Sequence, residues 1–348
     1  MINVLMVGPA RTAKGGMTTV VDNYFNHGLS KQVNLKYIET INDHNKISKL
    51  IKEMIGFQEY KKCIGNYDVI HIHMASRRST FRKIRYIKYA KKHQKKVIVH
   101  MHGGGFQKFY DEECSFRQKK YIKKNLNLAD KIIVLSEEWE KYFANIVEED
   151  KIEIIYNGVK LPQNYNKNLN NTNILFLGRI NEKKGIYDLL KVVKKISKKY
   201  PNVCLYVGGT GEVENLSSNI KKLGLRNNVK ILGWISSKEK DDILRKCCYF
   251  ILPSYFEAMP MSILEAMSYK CITVSTSVGS IPKIIQNNIN GIIVQPGDVD
   301  SIENNLLNLF SNEILRKKIS ESARKTVEKQ YDIEKLLIKL EKLYEKIC

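Results

Sequence analysis

Ten short, mostly apolar runs recur along this chain and constrain its fold more than any other feature. In the first half they are Asn3-Val-Leu-Met-Val7, Val69-Ile-His-Ile-His73, Lys96-Val-Ile-Val-His100 and Lys131-Ile-Ile-Val-Leu135. The second half continues with runs at 174–177, 203–207, 229–232, 249–252, 272–274 and 291–294. A strand that is apolar on both sides must be covered on both faces, and helical patterns between such strands supply the covers and the crossovers of a parallel sheet. The chain has 348 residues, too many for one typical core, so two doubly wound domains are expected. The polar, aperiodic segment Leu161–Thr172 lies between the two series and reads as the linker. The expected domains are 1–165 and 166–330, and the helical tail 331–348 must pack on something.

No run approaches the roughly 20 apolar residues of a membrane span, and Met1–Gly8 is too short for a signal peptide, so a cytoplasmic protein is expected. Seven cysteines form no CxxC pair and read as buried thiols. Lysine and arginine number 58 against 36 acids, a net charge of +22, which favours a polyanion, an anionic membrane or a phosphorylated substrate. The densest run, Arg77–Lys96, carries ten basic residues and no acid. Phe81, Ile84 and Ile87 recur through it at helical spacing, as in a helix lying on an anionic interface, with Arg82, Lys83, Arg85 and Lys88 as the membrane or acceptor contacts.

In open α/β sheets, ligands bind beyond the carboxyl ends of the strands, so the loops there carry the functional reading. After the first strand, Gly15-Gly16 opens a helix, admits a ligand closely and points unsatisfied N–H groups at it. The matching loop of the second half, Gly178-Arg-Ile-Asn-Glu-Lys-Lys-Gly185, places Arg179 and Lys184 where they can neutralise a diphosphate. Gly208-Gly-Thr-Gly211, which contains Gly209, and Gly233-Trp234-Ile235 form two more turns on that rim. Glu257 and Glu265 are separated by seven intervening residues in Glu257-Ala-Met259-Pro260-Met261-Ser262-Ile-Leu-Glu265. On a helix opening at that turn, eight steps of about 100° bring Glu265 round to nearly the same face as Glu257, so the two carboxylates could grip two sets of hydroxyls on an extended ligand.

These motifs, together with Val278-Gly-Ser-Ile-Pro-Lys-Ile284, stand in the order and spacing of retaining glycosyltransferases of the GT-B fold, family 4 type (glycosyl transferases group 1), which the chain resembles over nearly its whole length. The resemblance implies an α/β architecture of two facing Rossmann-like doubly wound domains. The first domain would bind the acceptor, the second a nucleotide-diphosphate sugar, and a C-terminal crossover helix would pack back onto the first. It further implies that Arg179 and Lys184 hold the diphosphate, that Glu257 engages sugar hydroxyls and Glu265 the ribose, and that backbone amides near Met261 and Ser262 complete the phosphate cradle. His102, in His102-Gly-Gly-Gly105, falls where the family carries an active-site histidine, in the cleft near the transferred sugar. The chain departs from the family's frequent Gly-Gly-x-Pro-Glu at Gly279-Ser280-Ile281-Pro282-Lys283, which either alters donor geometry there or reinforces anion binding.

His71 with His73 and His100 with His102 form two His-x-His pairs, each on one face of its strand, but no carboxylate motif accompanies them, and no metal or cofactor is expected. The resulting expectation is a retaining hexosyltransferase that moves a sugar, most simply from a UDP-sugar, to a saccharide or lipid-linked acceptor in surface polysaccharide or glycolipid synthesis. A nucleotide-sugar epimerase or phosphorylase on the same architecture, or a non-catalytic nucleic-acid-binding protein prompted by the charge, are the competing readings. The chain carries no recognisable DNA- or RNA-binding signature, and nucleic acid is not an expected partner.

Overall fold

The computed structural model describes residues 1–42, 46–163 and 167–348. Its contacts divide the chain into two compact units, one of Met1–Gly158 with Ile333–Cys348 and one of Val159–Asp332. The expected boundary at 165/166, inside the expected linker, lies outside the described residues.

The first unit is a six-stranded parallel sheet of β1 (Asn3–Gly8), β2 (Asn34–Glu39), β3 (Val69–Met74), β4 (Lys96–Met101), β5 (Lys131–Val134) and β6 (Ile152–Ile154), in the order β2-β1-β3-β4-β5-β6. The second unit is also six-stranded and parallel, with β7 (Asn173–Leu177), β8 (Cys204–Gly208), β9 (Val229–Gly233), β10 (Tyr249–Leu252), β11 (Ile272–Thr276) and β12 (Ile292–Val294) ordered β12-β11-β10-β7-β8-β9. Two strands escape a search for unbroken apolar runs. β2, Asn-Leu-Lys-Tyr-Ile-Glu, is an edge strand with polar residues in it, and β6 is a three-residue edge strand.

Strand order locates the ligand crevices. In the second unit the chain runs outward from β7 through β8 to β9, then crosses back to lay β10 on the other side of β7. The loops after β7 and β10 therefore leave in opposite directions and open a gap at their carboxyl ends, the switch point of a doubly wound sheet. In the first unit the equivalent point lies between β1 and β3. The final helix, Ile333–Ile347, belongs to the first unit and buries Leu336, Leu337, Leu340 and Tyr344 there. Gly158 lies close beneath it, and a Cβ at Gly158 would stand 2.7 Å from Leu336 and 2.9 Å from Ile333.

The basic segment corrects an expectation. The helix Arg78–Lys92 turns its apolar stripe into the core of its own unit, with Ile84 and Ile87 fully buried and Phe81 packed against the same cluster. Lys83 is also buried, its Nζ donating to Thr40 Oγ1 at 2.8 Å and lying 5.3 Å from the Tyr86 ring centroid. Arg82 is mostly covered and pairs at 3.9 Å with Glu53, which also takes Arg85 at 3.1 Å. Of the four expected surface cations, only Arg85 and Lys88 are exposed. Periodicity marks a buried face without saying what buries it, and here the core does.

Burial pushes the Lys83 ammonium well below its ordinary range, with Arg82 adding to the shift. An apolar side chain of similar length should therefore fit at least as well as the cation, whereas a buried carboxylate should not. Lys83→Met is expected to keep or raise the urea midpoint of the first unit, and Lys83→Glu to cost about 3 kcal/mol or more. Equal midpoints for Lys83→Glu and wild type would show that the side chain reaches water.

Candidate functional site

In the second unit the switch point is closed by backbone contacts that only glycine permits. Gly185 adopts φ 71°, and a Cβ there would run into the carbonyl of Pro253, which ties the loop after β7 to the loop after β10. Gly279 adopts φ 54°, and a Cβ there would strike the carbonyl of Glu257. Hydrogen bonds lock the same loops together: Tyr255 N–H donates to Lys183 O at 2.9 Å and Ser280 N–H to Ala258 O at 2.8 Å. On the neighbouring strands, Gly178 N–H donates to Gly208 O at 3.0 Å and Gly209 N–H to Gly233 O at 2.7 Å.

This meshwork brings Lys184 and Glu257 together across the gap. Lys184 Nζ lies 2.5 Å from Glu257 Oε1, and Ser254 Oγ donates to the same oxygen at 2.8 Å. Only 8% of the Glu257 side chain is exposed, so its charge is held by named partners rather than by water. Asn181 fixes Lys184 from behind, its Oδ1 accepting the Lys184 N–H at 3.1 Å as a helix N-cap. Arg179, on the same loop, is exposed.

The pair of glutamates is not arranged as the spacing suggests. Proline disfavours helix at the residue before it, and the helix accordingly starts after Pro260, at Met261–Ser268. Glu257 thus belongs to the preceding loop, and the argument from a shared helix face fails. Glu265 lies on the helix, where its Oε1 receives Lys240 Nζ at 2.6 Å. The side chains of Met259, Pro260 and Met261 are buried, so these residues can offer a ligand only backbone. Pro260 as N-cap supplies no side-chain acceptor, and the first N–H groups of the helix face the loops unsatisfied from within it. Ser262 is half-buried, Trp234 is exposed and Ile235 is half-buried, its Cδ1 3.4 Å from where a Cβ on Gly208 would stand. Ser254, Asn181 and Lys240 were not singled out from the sequence, although an Asn three residues before Lys184 was a legible capping signal. A cavity of about 370 Å³ lined by Glu182, Lys183, Tyr187, Asp188, Lys191 and Tyr255 lies beside the same loop and includes none of the expected donor residues.

In the first unit, Gly15 and Gly16 open the helix Gly16–Asn26 with no side-chain cap, and a Cβ on either would meet nothing within 4 Å. Open space, not packing, surrounds them. His102 follows β4 and is half-buried, with its N–H bonded to Met74 O at 2.8 Å. It ends an array of four imidazoles. His73 pairs in register with His100, which stacks His71, His73, His100 and His102 on one side of β3 and β4. His73 Nδ1 lies 2.8 Å from His102 Nε2, His71 Nε2 lies 3.2 Å from His100 Nδ1, and His71 Nδ1 lies 2.6 Å from Tyr344 Oη. Each neutral ring has one N–H, so every such contact sets opposite donor and acceptor roles on its two partners.

His71, His73 and His100 bring one ring nitrogen apiece within 4.8 Å of one another. The described ring and hydroxyl neighbours are neutral, Tyr24 and Tyr344, and the Lys83 charge also disfavours protonation of His73. Among the described residues, no carboxylate joins this cluster. His102 meets the array through His73. Burial lowers all four rings: His71 falls to about 3, and His73 and His100 fall well below the ordinary value.

Two family models match the chain, "Glycosyltransferase Family 4" over residues 32–162 and "Glycosyl transferases group 1" over residues 160–326. An uncharacterised glycosyltransferase of Methanocaldococcus jannaschii is 27% identical over 236 residues, covering 67% of this chain and 64% of the relative. The Staphylococcus aureus capsular polysaccharide biosynthesis glycosyltransferase CapM is 28% identical over 226 residues, 65% of this chain and 58% of the relative. These matched stretches span less than two thirds of either relative's length. Among solved structures, Anabaena HepE in complex with UDP-glucose superposes with a TM-score of 0.80 at 16% identity, over 99% of this chain and all of that one, and so shares the fold.

The buried histidines make stability depend on pH. Their folded values lie below the unfolded value of about 6.5, so the unfolded chain takes up protons first, and stability is full above that pH and is lost as the pH falls. For the three fully buried rings the loss at pH 5.5 should total about 4 kcal/mol. Urea unfolding of a Trp234→Phe variant, in which Trp139 alone reports on the first unit, should show that decline. A stability flat from pH 7.5 to 5.5 would mean that the rings are already solvated.

Proposed function

The chain belongs to the GT-B glycosyltransferases of group 1, and from that premise we propose that it moves a hexosyl group from a nucleotide-diphosphate sugar to a saccharide or lipid-linked saccharide, with retention at the transferred carbon. The reading rests on one observation: at the switch point, Lys184 and Glu257 meet at 2.5 Å beside the exposed Arg179 and an uncapped helix start. That is one negative and two positive groups on a rim where phosphate and sugar must be held side by side.

In this reading the diphosphate lies against Arg179, Lys184 and the N–H groups of Met261 and Ser262, where a helix start favours anions. Charge develops on the leaving phosphate as its bond to the sugar breaks, so cations and dipoles fixed there stabilise the transition state more than the ground state. Lys184 then links donor and enzyme, one side on phosphate and the other on Glu257. Glu257, held by Lys184 and Ser254, accepts from sugar hydroxyls, and Glu265 shares its oxygens between Lys240 and the ribose. With protein cations on the phosphate no metal is invoked. The acceptor hydroxyl attacks from the side of the leaving group and passes its proton to the departing phosphate oxygen. His102 donates to the sugar or acceptor as a neutral imidazole whose opposite nitrogen is engaged by His73. Gly15 and Gly16 give the ligand close access to the first unit.

A UDP-sugar is proposed as donor because HepE was solved with UDP-glucose. Surface polysaccharide synthesis is proposed as the process because CapM is named for it. Contact with an anionic membrane surface belongs to the same reading.

Two substitutions test the site. Glu257→Gln keeps shape and removes charge, and should lower kcat at least roughly 100-fold while the protein still folds. Near wild-type kcat in that variant would take Glu257 out of the mechanism. Arg179 is exposed, so Arg179→Ala should leave Tm unchanged. It should weaken UDP by about 1.5 to 3 kcal/mol while sparing uridine, as read by calorimetric titration. Equal weakening of both ligands would show that Arg179 does not meet the diphosphate.

A further inference from the structure

The first half of the helix Lys46–Cys63 is built with its polarity inverted. Ions face the protein: Lys52 pairs with Glu39 at 2.7 Å and Glu53 with Arg85 at 3.1 Å, both beside the main body of the first unit. Outward stand Ile47, Leu50, Ile51, Met54 and Ile55, each between 52% and 72% exposed. Their spacing of three, four, seven and eight residues makes one continuous stripe. Scattered exposed apolar residues need no explanation, but five on one helical face mark a surface that something covers.

The charge around the stripe narrows what that is. Lys61 and Lys62 stand seven residues beyond Met54 and Ile55 and so continue the same rows, and Arg85 and Lys88 are exposed on the adjacent helix. We propose that this face docks on an anionic lipid surface, the apolar stripe entering the boundary between headgroups and acyl chains while the lysines meet lipid phosphates. A second copy of the chain fits poorly, because pairing two such faces sets lysine against lysine. One short stripe also offers less area than a stable dimer interface of about 800 Å² per partner.

The position of the helix connects this surface to the transfer proposed above, on which only its purpose rests. Its middle touches the end of β2, where a Cβ on Gly56 would strike the Glu39 carbonyl. Ala10 N–H donates to Ile41 O at 2.6 Å and Arg11 N–H to Glu39 Oε1 at 2.9 Å, so the loop that leads to Gly15 and Gly16 borders the segment preceding the helix. The stripe and the glycine loop therefore occupy one edge of the first sheet. A lipid-linked acceptor would then reach the glycine loop of the first unit without leaving the bilayer.

The test is flotation with phosphatidylcholine vesicles, with and without phosphatidylglycerol, at low and high salt and without donor. Wild type is expected to bind the anionic vesicles about 100-fold more tightly than the neutral ones, and to be released by salt. Leu50→Asp with Met54→Asp should weaken anionic binding at least tenfold, and Lys61→Glu with Lys62→Glu should remove the anionic preference. Both variants should bind UDP as wild type does, which separates this surface from the donor reading. Loss of UDP binding in wild type would count against the donor site alone. Wild type that ignores anionic vesicles, or apolar variants that bind like wild type, would overturn the proposal. So would a wild-type dimer that Leu50→Asp dissolves, since a second copy would then cover the stripe.

Discussion

The site depends on how closely four loops approach one another at the carboxyl ends of β7, β8, β10 and β11. Without side chains at Gly185 and Gly279, the turn bearing Lys184 rests on Pro253 and the turn bearing Ser280 rests on Glu257. Any Cβ at those positions would push the loops apart and separate Lys184 from Glu257. The ion pair is thus a consequence of backbone contact. A buried pair gains little net stability over an apolar one, so the stability of the fold does not by itself call for this one. Topology supplies the remainder, since only at the switch point do adjacent loops diverge far enough to admit a ligand.

The first unit solves a different problem with neutral groups. Four imidazoles and two phenols share the side of β3 and β4 beneath the final helix, and burial keeps the rings uncharged at neutral pH. A histidine set among other neutral rings keeps one donor and one acceptor nitrogen as the pH varies above its lowered value, which suits a hydrogen-bonding role better than a proton-transfer role. Nε2 of His73 and of His100 and Oη of Tyr24 find no partner among the described residues. Unmatched polar atoms in a core weaken it, which is why acid should open this unit before the other.

Much of this was legible in the sequence, for reasons that also explain what was not. Strands buried on both faces announce themselves as unbroken apolar runs, so the doubly wound plan could be read from them, whereas β2 and β6, at the edges, could not. Turn glycines and loop cations mark the rim because they have few other uses there, and Lys184 and Glu257 do meet. Spacing failed where it assumed a helix that Pro260 forbids, leaving Glu257 in a loop. It failed again in Arg78–Lys92, where Ile84 and Ile87 fill the core and even Lys83 is buried. Partners drawn from other elements, such as Lys240 for Glu265, leave no local trace in the sequence.

The inverted helix shows why composition alone misplaces a surface. The two halves of Lys46–Cys63 do different work. Its second half anchors: Phe57 meets Tyr86 edge-on with centroids 5.0 Å apart, and Tyr60 is fully buried and donates from its hydroxyl to Tyr86 O at 3.0 Å. Its first half contributes partly exposed ion pairs to the protein, and such pairs are worth only about 0 to 1 kcal/mol each. The fold therefore asks little of residues 47–55, and their apolar side chains are not needed to hold the helix in place. Residues that leave apolar area in water without serving the core lower solubility and return nothing to stability. Five such residues on one face are what the proposed contact with an anionic lipid surface would cover.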